Sequence, residues 1–191
     1  IRTFAQADVE ELGAHASIPV INALTDDDHP TQLLADWLTI RENFGKDIAG
    51  RKFVYLGDGN NMSHAWLMMG AIMGAHVVAA TPSGKWAPDA KVVEIAKIIA
   101  SKSGGKVEVS HDPEAASKDA SVLYTDVWMS MGDSESERDE KMLALSPFAV
   151  TENLFSLTNK DSIFMHCLPA HRGEEVEASV IDGPRSVIWR E

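Results

Sequence analysis

Six apolar runs of strand length punctuate the chain: Phe53–Leu56, Val77–Ala80, Val107–Val109, Val122–Tyr124, Ile163–Met165 and Val187–Trp189. Between most of them lie stretches with helical character: Met62–Met73, Pro88–Ser101, Pro113–Lys118, a polar one over Ser134–Leu145, and Glu152–Leu157. Strands joined through a helix pair in parallel, and parallel sheets need both faces covered. Repeating that unit with right-handed crossovers gives an α/β fold, a doubly wound parallel sheet with helices on both faces. With the common strand order 3-2-1-4-5, the first, fourth and fifth strands are neighbours.

Upstream of the alternation, Gln6–His15 has helical spacing and Ile18–Leu24 reads as a buried strand. Pro30–Phe44 reads as a strongly amphipathic helix, with proline in the first turn, where its missing N–H would lack a partner anyway. The methionine-rich Met62–Met73 stripe reads as core. The charge run Asp133–Lys141 reads as a solvated loop and helix face. The chain begins at Ile1, close to a helical pattern, and stops at Glu191, directly after an apolar run. Both ends are expected to be cuts through a longer fold.

Seventeen basic side chains stand against 29 acidic ones, a net charge of -12. Such a surface repels phosphate backbones, so neither nucleic acid nor an anionic membrane is expected as a partner. No apolar run approaches the ~20 residues of a membrane helix. The one cysteine, Cys167, allows no intrachain disulfide. That fits a reducing compartment, and a cytoplasmic location is expected.

Ligands of open parallel sheets bind beyond the carboxyl ends of the strands, where strand order reverses. The residues to weigh therefore follow Leu56, Tyr124 and Met165. After Leu56 comes Gly57-Asp58-Gly59-Asn60-Asn61-Met62. It is not a dinucleotide fingerprint, because Met62 stands at the third glycine position and no acidic residue closes the second strand. No cofactor and no metal is expected. Asn60 and Asn61 can cap the next helix or hold a ligand, and one cap uses only one of them. Asp126 either caps the next turn or pairs with a cation, for example an amino-acid ammonium. Ser130-Met131-Gly132 reads as a turn. Cys167 is either a small buried hydrophobe or a site group, and as a thiolate it would need nearby positive charge. His166 and Cys167 alternate along a strand, so they should face opposite sides of the sheet. His29 reads as a helix-entry residue before Pro30.

Taken together, these residues resemble one family. Arg2, His29-Pro30-Thr31-Gln32, Gly57-Asp58-Gly59-Asn60-Asn61-Met62, Asp126 with Ser130-Met131-Gly132, and His166-Cys167-Leu168-Pro169 are similar to the ornithine carbamoyltransferases, over essentially the whole chain. His-Pro-x-Gln is shared with the aspartate branch. Asp-x-x-x-Ser-Met-Gly and His-Cys-Leu-Pro mark the ornithine branch.

The resemblance implies transfer of a carbamoyl group from carbamoyl phosphate to the δ-amine of L-ornithine, giving L-citrulline and phosphate, as in arginine biosynthesis. It implies that Arg2, His29, Pro30, Thr31, Gln32, Cys167 and Leu168 serve carbamoyl phosphate, with Arg2 and His29 polarising its carbonyl. It assigns Asn61, Asp126, Ser130 and Met131 to ornithine, and Cys167 the role of proton acceptor. Residues 1–28 would be the tail of a carbamoyl-phosphate domain, 29–45 an interdomain helix, and 46–191 an ornithine-binding α/β domain lacking its last helix. The family's phosphate motif Ser-x-Arg-Thr-Arg is absent here, so the chain alone is expected to be inactive. A homotrimer, or a multiple of trimers, is implied for the full-length enzyme.

Overall fold

The computed structural model describes residues 1–46, 48, 50–129 and 135–191. In chain order the elements are helices α1 (Gln6–His15) and α2 (Pro30–Phe44), then β1 (Lys52–Leu56), α3 (Asn61–Ile72), β2 (His76–Ala80), α4 (Ala90–Ser103), β3 (Lys106–Ser110), α5 (Pro113–Ser117), β4 (Val122–Thr125), α6 (Arg138–Leu145), α7 (Glu152–Ser156), β5 (Ile163–His166) and α8 (Ala178–Ile181). The five strands form one parallel sheet in the order β3-β2-β1-β4-β5. Leu56 pairs with Thr125, and Thr125 with His166, so the carboxyl ends of β1, β4 and β5 finish side by side.

Strand alternation divides the core in two. Phe53, Tyr55, Val77, Ala79, Tyr124 and Met165 face Trp37 of α2, Trp66 of α3 and Ala96 of α4. Val54, Leu56, Val78, Leu123 and Phe164 face Ala116 of α5, Phe155 of α7 and Ile181 of α8. The first side is aromatic: Trp66 sits 4.7 Å from Tyr124, and Trp37 meets Phe53 edge-on at 5.6 Å between ring centroids. Helix starts are set by local caps. Asp89 accepts from the Lys91 N–H, Asp112 from that of Ala115, and Thr151 from that of Leu154. Each satisfies a backbone donor that the helix itself leaves free.

Three expectations fail for identifiable reasons. Ile18–Leu24 is not a buried strand. Leu24 makes one bridge, to Arg2, and Ile18 and Ile21 are 73% and 68% exposed. Apolar composition marks a surface that wants cover, but a ladder needs a partner strand, and only the Arg2 segment lies alongside. Val187–Trp189 adds no sixth strand. The Val187 N–H donates to Phe164, but a turn closed by the Arg190 N–H on the Val187 carbonyl ends the pairing. The charge run is not wholly solvated either: Lys141 is 3% exposed and paired with Asp58 at 2.6 Å. Helix α8, only four residues long, has too few turns to show a period.

Gly70 makes the α3–β2 contact close. A Cβ there would lie 2.0 Å from Val77 Cγ2. Valine is stiff at χ1 and cannot swing away cheaply. Gly70→Ala should therefore destabilise the chain by ~1–3 kcal/mol through overpacking, despite alanine's better helix propensity. Urea unfolding measures this, and an unchanged or higher midpoint would refute the close-packing account.

Candidate active site

The turn after β1 is built to bring backbone and side chains close to its neighbours. Gly57 adopts φ 138°, which favours glycine, and a Cβ on Gly59 would lie 2.2 Å from the Ala87 backbone. The chain then enters α3 through Asn60. Its Oδ1 accepts from the N–H groups of Met62 (3.0 Å) and Ser63 (3.2 Å) and from the Tyr55 hydroxyl (3.1 Å). Its amide nitrogen donates to Asp126 Oδ2 at 3.0 Å. Asn60 thus caps α3 and links the end of β1 to the end of β4.

Asp126 is the hub. It is 8% exposed. Its Oδ1 accepts from its neighbour's N–H, Val127, at 2.7 Å and from the Cys167 thiol at 3.1 Å. Cys167 reaches it because its side chain packs on the α2–α3 side of the sheet, with Met165. His166 turns to the other side, against Glu175, as strand alternation requires. Burial first, and then the charge and hydrogen bond of Asp126, push the Cys167 thiol well above its ordinary range. Burial, followed by Asp126, does the same to the Tyr55 hydroxyl. These groups keep their protons around a buried carboxylate. Among the described residues Asp126 has neutral hydrogen-bond donors and no ion pair. A buried carboxylate so placed can pair with a cation that arrives from outside.

A second set of groups approaches from the start of α2. His29 donates its backbone N–H to Asp28 at 2.8 Å, and its Nδ1 is buried and without a hydrogen-bond partner among the described residues. Burial, then the positive charge of Arg2, lower the His29 pKa, while Asp126 acts in the opposite sense. The imidazole is therefore neutral around pH 7 and feels both Arg2 and Asp126. Asn61 donates to the Thr25 carbonyl at 3.1 Å, tying the β1 turn to the segment that leads into His29.

Of the other residues singled out in the sequence, Pro30 opens α2, and Thr31 donates to the Ala23 carbonyl at 2.9 Å. The Gln32 amide donates to the buried Asp36 at 2.9 Å. These three have structural contacts in the first turn of α2. Leu168 adopts φ 54° and is 37% exposed. Ser130 and Met131 lie outside the described residues.

Two features had no sequence signal that would have placed them here. Lys141 reads as part of a solvated charge run, yet it pairs with Asp58 and lies 5.3 Å from the Trp86 ring centroid, pinning α6 against the β1 turn. Glu175 reads as one more acidic residue, yet it is fully buried. Among the described residues, the one His/acid group compact enough to hold a metal is His171, Glu174 and Glu175, whose candidate ligand atoms lie within 4.8 Å of one another. Glu174 already faces Arg138 at 3.7 Å, and Glu175 accepts from His166.

Comparison with known proteins shows the family. The model of the Asp/Orn binding domain of aspartate/ornithine carbamoyltransferases matches residues 49–191, and that of their carbamoyl-P binding domain matches residues 1–42. The chain belongs to the aspartate/ornithine carbamoyltransferase family. It is 52% identical to the ornithine carbamoyltransferase of Pyrococcus horikoshii, covering all of this chain and 59% of that protein. It is 53% identical to that of Anoxybacillus flavithermus, covering all of this chain and 60% of the relative. Among solved structures, ornithine carbamoyltransferase from Pyrococcus furiosus superposes with a TM-score of 0.93 at 51% identity, over 99% of this chain and 59% of that one. The Gloeobacter violaceus enzyme gives 0.90 at 45% identity, over 100% and 62%. The chain thus spans about 60% of the length of the carbamoyltransferases it matches. No helix among the described residues is long and apolar enough to cross a membrane.

The Asp126–Cys167 contact makes a testable statement about protonation. Alkylation of Cys167 by iodoacetamide should rise with pH around a midpoint well above the ordinary thiol value of ~8.5. Asp126→Asn removes the charge that raises it, so the midpoint should fall. A wild-type midpoint at or below the ordinary value would contradict the geometry.

Proposed function

We propose that this chain carries the ornithine site and part of the carbamoyl-phosphate site of an ornithine carbamoyltransferase. The reaction joins the δ-nitrogen of L-ornithine to the carbonyl carbon of carbamoyl phosphate and releases phosphate, leaving L-citrulline. The observation that carries the reading is Asp126, a buried carboxylate with no ion pair among the described residues, at the strand-order switch of a domain whose family binds aspartate or ornithine. An α-ammonium completes it. Asn61, Ser130 and Met131 are assigned with Asp126 to the amino-acid end of ornithine.

The first 42 residues match a carbamoyl-P binding domain, and Arg2 and His29 lie there. Arg2 supplies a fixed positive charge. His29, neutral, can donate a ring N–H to the carbonyl oxygen as negative charge develops on it, without itself losing a proton. Gln32 contacts carbamoyl phosphate with them, Pro30 and Thr31 hold the turn that presents His29, and Leu168 lines the reacting centre with Cys167. Helix α2 carries the chain from one side of the site to the other.

The proton of the incoming amine sets a condition. The δ-ammonium has an ordinary value near ~10.4, as for lysine, and must lose its proton before attack. Cys167 in the ligand-free arrangement is a protonated donor to Asp126. An α-ammonium docked on Asp126 neutralises that charge and competes for the oxygen that the thiol uses. Both changes lower the thiol's pKa. Burial still opposes ionisation, so a proton-accepting Cys167 requires ornithine on Asp126 first: docking precedes proton transfer.

Citrulline formation by the full-length protein tests this. Asp126→Ala should lower kcat/KM for ornithine by about 10–100-fold, the worth of one hydrogen bond to a charged group. L-Norvaline, which keeps the α-ammonium and carboxylate, should compete with ornithine, whereas 1,4-diaminobutane should not. Wild-type turnover in Asp126→Ala and Cys167→Ala would remove the assigned roles, and competition by the diamine alone would favour a different amine as substrate. Sedimentation of the same protein is expected to show a trimer or a multiple of trimers. A cytoplasmic location belongs to the same proposal.

A further inference from the structure

Behind the turn that carries Cys167 and Leu168 lies a buried relay that the proposed reaction does not use directly. Glu175 is fully buried, as is the His166 side chain it meets. The Glu175 backbone is anchored: its carbonyl accepts from the Val150 N–H at 2.9 Å. Its side-chain Oε1 accepts from His166 at 3.3 Å and from the His171 N–H. On the other edge of the same imidazole, Nδ1 meets the Leu168 N–H at 2.9 Å. A backbone N–H can only donate, so His166 Nδ1 must carry a lone pair. The ring proton then sits on Nε2, where it donates to Glu175.

A carboxylate is a costly group to bury for this purpose. Among the described residues Glu175 Oε2 has no hydrogen-bond partner, and His171 Nδ1 lies 3.9 Å from it. Packing alone would favour an apolar side chain of similar volume. What a carboxylate adds is directional. It holds the Nε2–H tautomer, and by polarising the ring it makes Nδ1 a stronger acceptor for the Leu168 N–H. That bond fixes a non-glycine residue in the left-handed region, φ 54°, immediately after Cys167. Such a conformation persists where its surroundings determine it.

We propose that Glu175 is a positioning residue: through the His166 tautomer it sets the Cys167–Leu168 turn and so the aim of the thiol at Asp126. The proposal deepens the carbamoyl-transfer reading of that turn, but the tautomer can be tested without it.

The experiment uses the full-length protein labelled with ¹⁵N at histidine, with Glu175→Gln, Glu175→Asp and Glu175→Ala alongside the wild type. Wild-type His166 should show the neutral Nε2–H tautomer near pH 7, and Glu175→Ala should mix the tautomers. In citrulline assays Glu175→Gln should lose about 10-fold or more in kcat, in the range typical of groups that orient a site. The KM for ornithine should change little, and Glu175→Asp should recover part of the rate. An Nδ1–H or doubly protonated His166 in the wild type would overturn the proposal, and that spectrum is decisive even if Glu175→Ala fails to fold. So would a wild-type kcat in Glu175→Gln. If the wild type forms no citrulline, the carbamoyl-transfer reading fails alone and the tautomer still decides the role of Glu175.

Discussion

A carboxylate buried without a cation costs free energy that only a specific arrangement of donors can offset. Asp126 has such an arrangement: the Asn60 amide, the Val127 N–H and the Cys167 thiol. Each donor is delivered by a different part of the sheet's carboxyl edge. Asn60 is fixed because it also caps α3, and Cys167 because it continues β5. The hydrogen bonds that organise the fold and those that organise the site are thus partly the same bonds. Loss of Asn60 would loosen a helix start and a carboxylate together, whereas loss of Cys167 would leave the fold largely alone.

Two electrostatic regimes meet at this point. Along the carboxyl ends of β1, β4 and β5 the groups are acidic or hold their protons: Tyr55, Asp126 and Cys167. On the α2 side burial, and then the charge of Arg2, keep His29 neutral, and Asp126 partly opposes them. A cationic amino acid and an anionic acyl phosphate can be sorted between such regimes by charge alone, with the reacting atoms between them. The overall charge of -12 gives no hint of this local division.

Much of the frame was legible in the sequence. Five of the six apolar runs are strands, and their order is the common doubly wound one expected from the sequence, so Leu56, Thr125 and His166 end together. Period-2 alternation alone put His166 and Cys167 on opposite faces. What failed was set by tertiary context. Ile18–Leu24 has the composition of a strand but no neighbouring strand to join beyond one bridge. Lys141 has the look of a solvated residue because its partner, Asp58, is 83 positions away by subtraction of their numbers. The division of labour between Asn60 and Asn61 was likewise invisible. Neighbours of identical chemistry differ only in where the helix start aims them, Asn60 at Asp126 and Asn61 at Thr25. Glu175 has no periodic or motif signal, since its role depends on a contact made by a turn that doubles back on β5.

The central claim is that Asp126 exchanges the Cys167 thiol for a substrate ammonium. A crystal structure of the full-length protein with carbamoyl phosphate and L-norvaline addresses it most directly. The account predicts the norvaline α-ammonium within hydrogen-bonding distance of Asp126, with Cys167 Sγ released from Oδ1 and turned toward the end of the aliphatic side chain. An amino acid bound elsewhere, with the Cys167–Asp126 contact intact, would contradict it.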